Sequence, residues 1–396
     1  MLIRRAIEPV LRRLARQYPI LTITGPRQSG KTTVCRMVFP KKPYVNLEAI
    51  DTRQFAEEDP RGFLAQYPDG AVFDEIQRVP GLTSYLQPIV DEKKKPGQFI
   101  LTGSQQFEVT MSIAQSLSGR TALLKLLPFS IVEMKEHFKI NSTDLLLFKG
   151  FYPRIYDMRL NPSQASGDYI ETYIERDLRN IINIRELSHF QKFLRLCAGR
   201  IGQILNLQGL SNEVGISHTT ARNWITVLEA SYIVFLLQPY YRNISKRLVK
   251  SPKLYFYDVG LASYLLGIEN EKQISRDPLR GNLFENMVIA EALKCRFNKG
   301  RRANLSFYRD STGNEVDMVY ELRQGVFPVE IKAGITIADD YFRGLKNFMK
   351  VYPYLPFGGG LIYGGNTVQM RSNFMVYPAI KISEMLDTVE RRQNNG

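Results

Sequence analysis

Eight residues near the start, Gly25-Pro26-Arg27-Gln28-Ser29-Gly30-Lys31-Thr32, restrict what this chain can fold into more than any other stretch. They satisfy G-x-x-x-x-G-K-[ST], a loop that works only between a strand and a helix. The flanks agree. The apolar run Ile20–Thr24 predicts a strand before the loop, and residues 33–38 predict a helix after it. The glycines let the backbone turn tightly, so that successive N–H groups converge on phosphate oxygens. The helix N-terminus adds a field that favours an anion. The expected ligand is ATP with Mg²⁺. Gly25, Gln28, Ser29, Gly30, Lys31, Thr32 and Thr33 are expected to hold it, with Lys31 on the β- and γ-phosphates and Thr32 on the metal.

Such a loop calls for an acidic strand nearby. Ala71-Val72-Phe73-Asp74-Glu75 supplies it. Asp74 is the expected second metal ligand and Glu75 the expected general base. A further run, residues 99–102, ends in Gly103-Ser104; Ser104 is the candidate for positioning the attacking water, with Gln105 next. Arg120, just before the run 122–127, is a candidate arginine acting on a neighbouring subunit's nucleotide. It serves equally well as a surface residue at the end of the preceding helix. With residues 44–47, these runs alternate with helical patterns. That predicts an α/β domain over 1–138 with a parallel sheet covered on both faces.

The order of these parts resembles the AAA+ ATPases. More closely, it is similar to a bacterial and archaeal group of AAA+-like ATPases with a C-terminal domain of unknown function. The resemblance is carried by residues 25–33, 44–48, 72–77, 101–104 and 116–120, and further on by 281–286 and 314–317. It implies a homo-oligomer, usually a ring, and strengthens the case for Arg120. No second sensor arginine stands out in the helical zone that follows, residues 139–199.

The 396 residues suit two or three domains. The formal net charge of +14 points to an anionic partner, DNA first. Cys35, Cys197 and Cys295 are too scattered for a disulfide framework or a zinc ribbon. Leu2, Ile3, Ala6, Ile7, Val10, Leu11 and Leu14 recur at helical spacing, which predicts an amphipathic helix within residues 1–20 rather than a signal peptide. No stretch is apolar for long enough to span a bilayer, so a soluble, cytoplasmic protein is expected.

Residues 200–270 read as a winged helix. A short helix over 211–215 leads through a turn to a second helix over 218–229, with Ser217 as its N-cap. Ala221, Trp224, Ile225 and Leu228 form its buried face. His218, Thr219, Arg222 and Asn223 then point outward, where DNA contacts would lie. Residues 232–238 and 253–257 are the expected wing strands, with Lys246 and Arg247 between them as further candidate contacts. Protein docking is the alternative use of this module.

Residues 271–396 return to a small α/β domain opening with a helix over 282–294. Glu315-Val316-Asp317 begins one strand, and Glu330-Ile331-Lys332 lies on the next after a turn at 323–325. Antiparallel pairing would set Asp317 beside Glu330 and Lys332, and Glu285 could join from the helix. This resembles the PD-(D/E)xK nuclease fold, with Val316 in place of the proline. The set implies a metal-assisted nuclease site, or a nuclease-like fold used only for binding. Three readings remain open: an ATPase acting on DNA, a nuclease gated by an ATPase, and an ATP-switched docking scaffold without nucleic acid.

Overall fold

The computed structural model describes residues 3–104, 116–174, 187–240, 250–353 and 355–395. Gln105, Lys246 and Arg247 lie outside the described residues. The N-terminal region opens with α1 (Glu8–Leu14) and β1 (Ile20–Thr24). It continues through α2 (Lys31–Val38), β2 (Tyr44–Asn46), α3 (Ile50–Glu58), α4 (Pro60–Ala65), β3 (Val72–Asp74), α5 (Leu82–Lys93), β4 (Phe99–Gly103) and β5 (Thr121–Lys125). These strands form an all-parallel sheet in the order β2-β3-β4-β1-β5.

The sequence explains the layers. Every residue of β1 is buried, because helices cover both faces of a parallel sheet and a central strand then reads as one apolar run. Alternate side chains feed two cores. Ile20, Phe73, Phe99 and Leu101 face α4 and α5. Leu21, Ile23, Val72 and Ile100 pack with Val34 and Val38 of α2 and Leu11 of α1. Strand β4 lies between β1 and β3, so the end of β3 stands one strand away from the loop after β1.

The expected helix near the N-terminus is shorter than its apolar spacing suggests. Residues 3–7 have no helix; Ile3, Arg5 and Ile7 are buried while Arg4 and Ala6 are exposed. That period of two marks a segment laid along the domain, and the helix begins only at Glu8 with Pro9 in its first turn.

A helical zone follows: α6 (Ile131–Lys135), α7 (Thr143–Lys149), α8 (Pro153–Asp157), α9 (Pro162–Tyr169) running into a π-turn at Ile170–Ile174, and α10 (Leu187–Ala198). Next come α11 (Leu207–Val214), α12 (His218–Ala230), β6 (Val234–Leu237) and β7 (Lys253–Phe256), the two strands pairing antiparallel. Then α13 (Val259–Leu265), α14 (Glu271–Ile274) and α15 (Arg280–Asn298) lead into the second sheet. That sheet starts with an antiparallel meander of β8 (Leu305–Arg309), β9 (Glu315–Leu322) and β10 (Gly325–Lys332). Helix α16 (Arg343–Val351) crosses over to β11 (Gly359–Tyr363), which lies parallel to β10. The chain closes with β12 (Gln369–Arg371), β13 (Phe374–Pro378) and α17 (Ile382–Asn395).

One core joins these later segments. It runs from Phe129 through Phe190, Trp224 and Tyr255 to Met287, Met318 and Leu386. Trp224 stands edge-on between Phe190 and Phe193, at 5.3 and 5.2 Å. Helix α15 is buried along most of its length: Leu283, Phe284, Met287, Val288, Ile289 and Leu293 are inside the core, and so are the polar Asn286, Glu291, Lys294 and Arg296. No helix among the described residues is long and apolar enough to cross a membrane.

Candidate nucleotide site and carboxylate cluster

The loop after β1 turns at Gly25, where no side chain fits: a Cβ there would lie 2.0 Å from the carbonyl oxygen of Leu126. Lys31 is buried, and its Nζ donates to the carbonyl oxygens of Gly25 and Pro26, both at 2.9 Å. Burial lowers its pKa, opposed by the nearby Glu75 and Asp74 carboxylates. Ser29 Oγ is buried without a hydrogen-bond partner, which leaves a donor turned inward at the loop.

The metal-ligand candidates meet. Thr32 Oγ1 donates to Asp74 Oδ2 at 2.7 Å, and Tyr44 and Thr102 hydroxyls donate to the same carboxylate. A hydroxyl and one carboxylate are the oxygen donors Mg²⁺ takes when phosphates and water complete its shell, so the pair fits that ion. Glu75 adopts φ 58°, ψ 51°, a left-handed conformation rare for a residue with a side chain. Its Oε2 accepts from Ser104 Oγ at 2.9 Å, from Ser104 N at 3.2 Å and from Gln77 Nε2. Burial alone would raise the Glu75 pKa. The Lys31 ammonium and the bonds from Gln77 and Ser104 outweigh it and hold the carboxyl below its usual range.

These groups open onto a cavity of ≈ 470 Å³. Its lining includes Lys31, Thr32 and Glu75, together with Phe129, Arg154 and Met158 from later in the chain. Arg5 fixes the floor. Its guanidinium donates to Ser29 O at 2.6 Å, to Leu127 O at 2.8 Å and to Glu133 Oε1 at 3.0 Å. Behind Phe129, helix α15 takes hold of the same segment. Lys294 Nζ donates to Phe129 O at 2.8 Å and to Glu291 Oε1 at 2.7 Å, and Glu291 Oε2 accepts from Ile131 N at 2.8 Å.

Two turns earlier on α15, Glu285 belongs to a second cluster. Lys253 Nζ, on β7, bridges Glu285 Oε1 at 3.0 Å and Glu315 Oε1 at 2.5 Å. On the β9–β10 pair, Lys332 Nζ bridges Glu330 Oε2 at 2.9 Å and Asp317 Oδ2 at 3.2 Å. Asp317 also accepts from Ile331 N at 2.7 Å. Burial and the facing Asp317 push Glu330 up to about 9 and Glu285 up to about 7. Asp317 is shifted the other way: burial would raise it, but Lys332 and Lys253 hold it low. Gly344 of α16 packs directly on Glu330, where a Cβ would fall 1.7 Å from Oε1. Among the described residues, no group of three or more His, Cys, Asp or Glu side chains is arranged to hold a metal ion.

The AAA domain matches residues 17–135. Two domains of unknown function follow, DUF8612 over 140–272 and DUF4143 over 280–383. An uncharacterized protein of Mycobacterium tuberculosis is 30% identical over 334 residues, spanning 83% of this chain and 74% of the relative. The chain belongs to that protein's family. A member from Mycobacterium bovis matches to the same extent, and an uncharacterized protein of Haemophilus influenzae is 23% identical over 312 residues, 69% of this chain and 74% of that protein. Among solved structures, a Walker-type ATPase of Pyrococcus abyssi is 13% identical, with TM-score 0.44, over 67% of this chain and 96% of that one. This family member therefore carries an AAA-type, P-loop ATPase-like domain at its N-terminus, followed by a helical region and a small mixed-sheet domain.

The structure brings Lys31, Thr32, Asp74, Glu75 and Ser104 together, as well as Glu285, Asp317, Glu330 and Lys332. Ser104 is turned onto Glu75, its Oγ donating to Oε2. Arg120 does not line the cavity of its own chain; its Nε and Nη2 grip Asp91 at 2.6 and 2.7 Å. On α12, Thr219, Arg222 and Asn223 are exposed and His218 is half-buried, with Ser217 Oγ capping at Thr220 N, 3.0 Å. Sequence reasoning missed Arg5, Gln77, Lys253 and Arg154. Arg154 comes from the very helical zone in which no second arginine stood out. The signal for Arg5 was its alternation with Ile3 and Ile7. Nothing in the pattern marked the other three: Arg154 and Lys253 are brought in by tertiary packing, and Gln77 by the turn that follows β3.

Proposed function

We propose that this protein binds ATP with Mg²⁺ in the Lys31–Glu75 cavity, hydrolyses it, and couples turnover to engagement of DNA. The observation that carries the reading is the Thr32–Asp74 contact with Glu75 alongside. Thr32 and Asp74 would hold Mg²⁺, which neutralises phosphate charge when bound. Lys31 exchanges the carbonyls of Gly25 and Pro26 for the β- and γ-phosphate oxygens. Glu75 Oε1 takes the proton of the attacking water as the new O–P bond forms and the β–γ bridge breaks, releasing ADP and phosphate. Arg154, which lines the same cavity, supplies a further cation to the anion. Arg120, on the outside of the domain, leaves Asp91 to serve the nucleotide of a neighbouring subunit.

Helices α11 and α12 with strands β6 and β7 are read as a winged helix whose exposed Arg222 and neighbours meet DNA, supported by the net charge of +14. Coupling is read through α15, which grips the Phe129 backbone at the cavity and continues to the carboxylate cluster. The test is phosphate release with and without duplex DNA. Stimulation that fades with salt is expected, along with loss of turnover but retained ATP binding in Glu75→Gln. No stimulation at any ionic strength would remove DNA and favour a docking scaffold.

A second reading is favoured by the assembly of Glu285, Asp317, Glu330 and Lys332 in one place: phosphodiester cleavage at that cluster. The carboxylates as arranged are matched to two lysines rather than to a divalent ion, so no metal-dependent step is assigned there. Plasmid nicking by the wild type that disappears in Asp317→Ala supports cleavage. Its absence leaves the cluster as an internal tie between β7, α15, β9 and β10.

A further inference from the structure

We infer that Gln77 is a positioning residue for Glu75, fixing which carboxylate oxygen is presented to the attacking water. The inference rests on the reading of Glu75 as general base. After β3 the chain enters a single 3₁₀ turn, Ile76–Arg78, whose N-cap is Glu75 in its left-handed conformation. This turn swings the Gln77 amide back under the Glu75 carboxylate. Gln77 Nε2 donates to Glu75 Oε2 and, at 3.2 Å, to Ser104 Oγ, which itself donates to the same Oε2. With Ser104 N, three donors meet on one oxygen. A carboxylate oxygen has two lone pairs, so Oε2 has no capacity left for a water proton. Oε1 takes none of these bonds and is the atom free to act.

The amide can hold only one way round. Gln77 is 9% exposed, and its Oε1 is buried without a partner. Flipping the amide would set that oxygen against Glu75 and lose both donated bonds. Ser104, at the end of β4, completes the clamp from the adjacent strand. The base is thus oriented from two elements, β3 and β4, that the parallel sheet holds in register.

The experiment compares Gln77→Leu, which keeps bulk and removes the donor, with Ser104→Ala and Glu75→Gln. Phosphate release gives kcat and KM, fluorescent-nucleotide titration gives ATP affinity, and a urea melt reports folding. Gln77→Leu is expected to lower kcat by about 10–100-fold, with ATP affinity and urea midpoint unchanged. In single turnovers on the Glu75→Gln background it is expected to add no further loss, because it acts only through Glu75. Wild-type kcat in Gln77→Leu overturns the inference. So does a fall in affinity matching the fall in kcat, or a loss that multiplies with Glu75→Gln. Should Gln77→Leu fail to fold, Gln77→Asn, which keeps the amide but shortens its reach, is judged by the same criteria. If Glu75→Gln alone turns over normally, the assignment of the base fails and the role of Gln77 falls with it.

Discussion

A guanidinium with five donors and no acceptor can serve several carbonyls and a carboxylate at once, and Arg5 does so beneath the phosphate loop. Its side chain is 4% exposed and that of Glu133 is 2% exposed. Removing one partner of so buried a pair leaves the other charge uncompensated. Arg5→Ala is therefore expected to cost about 3–5 kcal/mol of stability, read as a lower urea midpoint, and to weaken nucleotide binding as Ser29 loses its anchor. Arg5→Ala with a wild-type midpoint would sink this account. At this scale the sequence was most legible where chemistry demands contiguous residues. Lys31, Thr32, Asp74 and Glu75 could be assigned because a fixed spacing serves one ligand. Arg154, Gln77 and Lys253 were not legible, since each is useful only through a neighbour that is distant in sequence or through a turn whose direction no pattern encodes.

Elements differ in how far their own residues determine them. Helix α12 was readable in full: a capping serine, a periodic buried face and an end at the turn before β6. Ser217→Ala is expected to cost about 1 kcal/mol, measured by chemical denaturation. The non-helical stretch before α1 reads ambiguously because its apolar residues fit both a helical and an alternating period. Helix α17 is clasped through Glu390, which receives Arg296 at 2.9 Å and Lys299 and Arg301 at 2.8 Å each, besides the Tyr320 hydroxyl. Burial would raise its pKa, but these donors hold it at about 2. A carboxyl depressed on folding adds stability above its unfolded pKa and loses it as pH falls toward the folded value. Wild type is thus expected to lose stability between the usual carboxylate range and about pH 2. Glu390→Gln should start less stable at neutral pH and show a shallower acid limb in thermal melts. Parallel acid limbs in the two proteins would refute the clasp.

For the molecule as a whole, the parallel sheet was foreseeable because alternating strands and helices allow few other solutions. The shared core of residues beyond Phe129 was not, because nothing local reports which buried faces meet. The placement of Arg120 outside its own cavity yields a test of assembly. Glu75→Gln and Arg120→Ala are each expected to be inactive alone. Mixed in equal amounts, they should recover part of the rate, because some interfaces then pair an intact base with an intact arginine. No recovery on mixing, with both variants assembled, would return Arg120 to the role of a surface partner for Asp91.

Lys253 carries one last implication, for anyone who divides this protein. One region of unknown function ends at residue 272 and the next begins at 280, and that border looks like a natural place to cut. Yet the ammonium of Lys253 lies on the first side while its acceptors Glu285 and Glu315 lie on the second. A fragment ending there would carry a cation with nothing to receive it, and its complement would carry carboxylates with no counter-charge. Neither half is therefore expected to fold well without the other. The two expressed together in one cell should be soluble where each alone is not, so gene truncation is a poor guide to what either region does.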